Sequence, residues 1–231
     1  MVSDGPLCVC RAVKAEAQAA RGDGLLTNPL ALVGHGRMFR QGQPGSDAAD
    51  LSRRGDQIGW FDGTEAGWRM LGAYLELLDH FVALAKGSGV PAAAELHGCT
   101  QRSRAMIACY PGSGARYARH CDNACANGAG PECNGRRLTA ILSLNTRWRP
   151  ADGGELVLFP PVPLNTALGT ASGTASAAAA LGHIAPCGNR LVLFWSDARV
   201  PHEVLPAHAE RYAVTCWYYD ETELRRANER C

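Results

Sequence analysis

The chain has 231 residues, 46% of them hydrophobic, and a formal net charge of +1. That length and apolar content suit one β-rich domain with a sizeable core, and the balanced charge argues against a nucleic-acid or membrane-surface partner. No apolar run approaches the roughly 20 residues that span a bilayer, and the first residues carry neither a basic segment nor a long apolar stretch, so no secretory signal is expected.

Residues 12–21 are rich in helix formers and end at Gly22 and Gly24, which predicts a short helix. Residues 41–56 are polar and read as a loop, and Trp60 and Phe61 precede a glycine-containing turn. Over 65–86, apolar side chains recur at three and four: Trp68, Leu71, Tyr74, Leu75, Leu78, Phe81, Val82 and Leu84. This is the best amphipathic helix in the chain, and its stripe is expected to pack into a core. Beyond residue 100 the pattern becomes strand-like, with short runs at Ala105–Tyr110, Leu138–Leu144, Glu155–Phe159, Arg190–Trp195 and Tyr212–Tyr218. Several are apolar on both faces, which requires packing on both sides. Residues 123–135 form a Gly/Asn-rich loop, and 165–182 are a low-complexity stretch read as a flexible surface insertion. Two helices followed by many short strands predict a mainly β fold with flanking helices, a sandwich or barrel in a single domain over 1–231. The helical support covers about 11–100 and the barrel core about 104–220.

Ten cysteines are present, and without a secretion signal they are expected as reduced thiols. Cys121, Cys125 and Cys133 cluster, but their spacing fits no common zinc module.

One constellation carries chemistry. His120 and Asp122 are two apart, and on an extended strand both would face one ion while Cys121 turns away. His202 follows Pro201, and Arg211 lies nine residues beyond it. Two imidazoles and a carboxylate on one face leave coordination positions open, which suits Fe(II) oxygen chemistry. Strand alternation puts Arg211, Ala213, Thr215 and Trp217 on one face. A guanidinium facing a barrel interior is tolerable when a carboxylate arrives with the substrate, and Thr215 could add a hydrogen bond.

The stretches Met106–Asn123, Gly153–Pro160, Leu191–Val204 and Arg211–Tyr218 resemble the iron-binding strands of the hypoxia-inducible-factor prolyl hydroxylases, and Arg53–Trp60 is similar to that family's segment before a tryptophan. The resemblance implies a double-stranded β-helix, jelly-roll or cupin-like, and a 2-oxoglutarate- and Fe(II)-dependent dioxygenase that hydroxylates a prolyl residue, at C4, in a protein or peptide substrate. It implies that His120, Asp122 and His202 bind iron and that Arg211 anchors the far carboxylate of 2-oxoglutarate. By the same resemblance dioxygen is expected as co-substrate and ascorbate as the reductant that keeps the iron ferrous. Tyr110 corresponds to a tyrosine close to the co-substrate, Met106, Leu156 and Trp217 to pocket wall, and Arg54, Asp56 and Arg136 to a substrate-gripping loop and its ion pair. Ser143 stands where the family usually places a tyrosine hydroxyl on the co-substrate, too short to reach the same spot directly. The loop after Asp122 is longer than the family's and rich in cysteine. By the same analogy the protein is a monomer of the cytosol or nucleus, with an oxygen-sensing role open to it. Two alternatives stand beside this reading: a dioxygenase acting on another side chain or a small molecule, and a non-catalytic binding scaffold with a relict pocket.

Overall fold

A computed structural model of the chain describes residues 5–27, 54–123, 133–161 and 179–229. Helix α1 (Gly5–Gly22) begins earlier than helix-forming composition suggested. It buries Cys10, Val13, Ala17 and Ala20 on one face, and Gly24 at φ +72° closes it, with Leu25 N donating to Ala20 O at 2.8 Å. Strand β1 (Gln57–Phe61) follows, then helix α2 (Arg69–Lys86). The expected start at 65 is corrected: Glu65 instead accepts the backbone N–H groups of Asp62 and Gly63, and buried Trp68 is the N-cap. Trp68 makes no side-chain cap bond. Glu16 of α1 supplies one, accepting from Met70 N at 2.7 Å and Leu71 N at 2.9 Å. The α2 stripe is core only in part. Leu71, Tyr74, Leu75, Leu78 and Val82 are buried, but Phe81 is 48% and Leu84 76% exposed, because with Leu77 they fall at i, i+4 and i+7 on the outer side of the helix.

A 3-10 turn (Pro91–Leu96) leads into strands β2 (Cys99–Arg102), β3 (Ala105–Tyr110), β4 (Ala115–His120) and β5 (Arg136–Ser143). Then come β6 (Leu156–Leu158), β7 (Gly182–Ile184), β8 (Arg190–Trp195), β9 (His202–Ala207) and β10 (Arg211–Asp220), and helix α3 (Glu221–Glu229) ends the described chain. The major sheet runs β1-β3-β10-β5-β8, with β2 also paired to β10, and the minor sheet runs β4-β9-β6-β7. The pairings within both sheets are antiparallel. The fold is thus mainly β with flanking helices, a jelly roll of two sheets.

The doubly apolar strands have their reason in two cores. One face of β10 (Tyr212, Val214, Cys216, Tyr218) packs under α1 and α2. The other (Ala213, Trp217) joins Met106, Ile141, Leu156, Phe194 and Val204 between the sheets. Most of residues 123–135 and 165–182 lies outside the described residues; of the second stretch, Gly182 already belongs to β7. Cys10, Cys99, Cys109, Cys121, Cys187 and Cys216 are free thiols, Cys133 is buried with its Sγ 3.6 Å from Glu223 Oε2, and Cys125 lies outside the described residues. No described helix is long and apolar enough to cross a membrane.

Candidate active site

His120 ends β4 and His202 opens β9, and the register places them directly across from each other. Their ring centroids are 4.3 Å apart. Asp122 is not on the strand as expected, since β4 stops at His120 and Asp122 lies in the bend that follows. It reaches the same point because the bend is tied elsewhere: Asn123 N donates to Ser196 O at 2.8 Å, and Asn134 Nδ2 donates to Asp122 O at 2.9 Å. One donor atom from each of His120, Asp122 and His202 falls within 4.8 Å of the others, the only such group among the described residues.

The protonation pattern follows from the neighbours. His120 Nδ1 lies 2.8 Å from Ala118 O and His202 Nδ1 3.2 Å from Val200 O. A carbonyl only accepts, so each Nδ1 carries a proton, which leaves Nε2 as the nitrogen of each ring turned toward the site. Those Nε2 atoms face Asp122 Oδ1 at 3.7 Å and Oδ2 at 3.6 Å. Two imidazole nitrogens and a carboxylate converging on one point make a donor set that fits a divalent metal. Burial alone would raise the Asp122 carboxyl. His202, His120 and Arg136 outweigh it and hold the group well below the usual carboxylate range. Burial, with the neighbouring His120, pushes His202 down to about 4 against the pull of Asp122. Near neutral pH the set is therefore a carboxylate with a neutral His202, ready to ligate.

Arg211 opens β10 and is 4% exposed. Its Nε donates to Gly154 O at 2.8 Å, and no carboxylate pairs with it among the described residues. Gly154 has φ +73°, and a Cβ there would sit 2.8 Å from Arg211 Cδ, so glycine is required for the guanidinium to lie where it does. Gly154 N in turn donates to Pro206 O, toward the end of β9 away from His202. Tyr110 pairs with Arg211 across β3 and β10, its ring 4.8 Å from the guanidinium carbon. Burial, reinforced by Asp56, raises the Tyr110 hydroxyl far above its ordinary value, so it stays a neutral donor. Thr215 and Ser143 are buried; Thr215 has the parity of Arg211 on β10, and Ser143 that of Thr139 and Ile141 on β5.

The other expected residues group less tightly. Leu156, Met106 and Trp217 belong to the inter-sheet core. Trp217 Nε1 is buried with no hydrogen-bond partner among the described residues. Arg54 grips buried Asp56 at 2.6 and 2.9 Å, contacts Met106 Sδ at 3.4 Å and lies over the Tyr117 ring. Arg136 does not join that pair: it stacks 4.0 Å over Trp217 and donates to Asp122 O. The sequence reading missed Tyr117, whose ring stacks 3.8 Å from that of His120, and Gly154. It also missed Thr139, whose hydroxyl lies 2.7 Å from Asp122 Oδ2. A polar residue in the apolar run Leu138–Leu144 was the available signal for Thr139.

A two-sheet jelly roll with two imidazoles and a carboxylate converging between strands defines a mononuclear metal-binding protein of the oxygenase type. A family model described as the 2OG-Fe(II) oxygenase superfamily matches residues 105–219. Prolyl hydroxylase EGLN3 of Homo sapiens is 37% identical over 196 residues, covering 83% of this chain and 71% of that protein. Egl nine homolog 1 of Mus musculus is 38% identical over 192 residues, 82% of this chain but 41% of the relative, so the chain spans less than half of that protein's length. Among solved structures, a prolyl hydroxylase from Trichoplax adhaerens, in complex with a hypoxia-inducible-factor oxygen degradation domain peptide, matches with TM-score 0.70 and 32% identity, covering 95% of this chain and 82% of that one. The chain belongs to the prolyl hydroxylase family of 2OG-Fe(II) oxygenases.

Proposed function

We propose that the protein hydroxylates a prolyl residue, at C4, in a protein or peptide substrate, using Fe(II), 2-oxoglutarate and dioxygen, with residues 1–231 acting as one dioxygenase domain. The observation that carries this reading is the convergence of His120, Asp122 and His202 within 4.8 Å. These three residues would hold the iron. Bound iron would activate dioxygen, the oxidant, with two electrons drawn from 2-oxoglutarate, which leaves as succinate and carbon dioxide.

The chain's own residues position and enclose. Arg211, fixed through Nε by Gly154 O, offers its remaining N–H groups to the far carboxylate of 2-oxoglutarate, a fork-to-carboxylate match. Thr215 and Ser143 bring hydroxyls to the same face, and Tyr110 adds a neutral phenol beside the guanidinium. Leu156 walls the co-substrate and excludes water. Met106, Trp217, Arg54, Asp56 and Arg136 form the substrate side, where Trp217 Nε1 has no acceptor among the described residues. Ascorbate keeps the iron reduced. The protein works as a monomer in the cytosol or nucleus, and oxygen sensing is the cellular role that suits the family.

Incubation with Fe(II), 2-oxoglutarate and proline-containing peptides tests this. Succinate and hydroxyproline should rise together by mass spectrometry, and both should vanish in His120→Ala and His202→Ala. Full turnover in either variant would end the assignment. Succinate coupled to a different product would move the target to another side chain or a small molecule.

A further inference from the structure

Two buried hydroxyls stand behind Asp122. Thr139 Oγ1 lies 2.7 Å from Asp122 Oδ2 and 2.8 Å from Ser196 Oγ. Thr139 and Ser196 are fully shielded from solvent and Asp122 nearly so. An ionised carboxylate only accepts, so Thr139 spends its single proton on Oδ2, and Ser196 must be the donor to Thr139. The direction of the relay is thereby fixed: Ser196 to Thr139 to Asp122.

Its supports are rigid. Thr139 sits within β5, in register with Phe194 of β8 and Trp217 of β10. Ser196 N donates to Arg137 O at 3.0 Å, and Ser196 O accepts from Asn123 N. The two histidines belong to the minor sheet, whereas the third donor hangs from the major sheet through this relay.

We propose that Thr139 and Ser196 are positioning residues that hold the Asp122 carboxylate, through Oδ2, in the orientation in which it meets the two imidazoles. The proposal rests on the ferrous reading above. A hydroxyl bonded to Oδ2 fixes the carboxylate's rotation about its own bond, as outer hydrogen-bond partners do at other metal centres.

The test uses the whole chain stripped of metal and titrated with Co(II), read by calorimetry and by visible absorption, whose band intensity reports coordination number. Wild type, Thr139→Val, Thr139→Ser and Ser196→Ala are compared, with circular dichroism to check the fold. Thr139→Val should bind roughly 10–100-fold more weakly and with an altered band intensity, and Thr139→Ser should stay near wild type. Ser196→Ala should show a smaller loss in the same direction. Wild-type affinity and spectrum in Thr139→Val would overturn the proposal. So would a Thr139→Ser as impaired as Thr139→Val, because the methyl group rather than the hydroxyl would then matter. Should Thr139→Val not fold, Ser196→Ala decides: no change in affinity or spectrum overturns the relay. A wild-type chain that takes up no Co(II) overturns the metal reading itself, a result distinct from all of these.

Discussion

Arg211 is a cation held in the interior by one carbonyl, with no anion beside it among the described residues. Burial pulls its pKa down, and Tyr110 and Asp56 offset part of that. Such a site is costly until a carboxylate arrives, and its geometry depends on the missing side chain at Gly154. In Gly154→Ala, the new Cβ meets Arg211 Cδ and the left-handed backbone is strained as well. The expected outcome is 2-oxoglutarate affinity about tenfold lower or worse, since an ångström of misplacement is felt strongly. Fe(II) affinity should be unchanged; equal losses of both would contradict the assignment of Arg211 to the co-substrate. His202 makes a separate prediction for the metal-free protein. Its pKa is depressed from 6.5 to about 4 in the fold. Between those values the unfolded chain binds the proton and the native chain does not, so stability falls as pH drops from about 6.5 toward 4, by at most about 3 kcal/mol. Denaturant titrations across that window should show the fall, and His202→Gln should flatten it.

At the scale of elements, the two helices are linked by a cap that no local pattern announces. Glu16 sits 54 residues before Met70, whose N–H it accepts, and its carboxylate also meets the positive end of the α2 dipole. Glu16→Ala should lower stability by about 1 kcal/mol in urea unfolding. Along α2 the cost of truncation should divide by exposure. Leu75→Ala, at a 1% exposed site, should lose about 2–5 kcal/mol. Leu84→Ala should stay within about 0.5 kcal/mol. Periodicity showed that α2 is amphipathic, but the helix also carries Leu77, Phe81 and Leu84 on its outer side, and apolar type alone placed Phe81 and Leu84 in the core. The runs of β3, β5, β8 and β10 were legible because each is pressed between two apolar layers. Strand β4 was not, since Ala115–His120 is polar and only half-buried and is held by pairing with β9 more than eighty residues away. Strands β1, β2, β7 and β9 were likewise unmarked, being short or interrupted by glycine and proline.

For the whole molecule, the two sheets divide the work. The minor sheet contributes both imidazoles, and the major sheet contributes Arg211 and the hydroxyls behind Asp122. The mainly β class was visible in the short strand-like runs; the His120, Asp122, His202 and Arg211 set was visible because the stretches around it resemble a known family's iron-binding strands, the His120–Asp122 spacing being a weak signal by itself. Tyr117, Gly154, Thr139 and Ser196 were not, because their importance comes from contacts across the two sheets. Arg136 was expected with the Arg54–Asp56 pair and lies over Trp217 instead.

The most direct test is an anaerobic titration of the metal-free chain with Fe(II) and then 2-oxoglutarate, followed by metal-to-ligand charge-transfer absorption. The band should develop in the wild type, fail in His202→Ala, and in Arg211→Ala require at least about tenfold more 2-oxoglutarate, in keeping with the loss of a charged, bidentate contact. A wild type that gives no band, or a His202→Ala chain that gives the full one, would contradict a shared ferrous site facing a buried guanidinium.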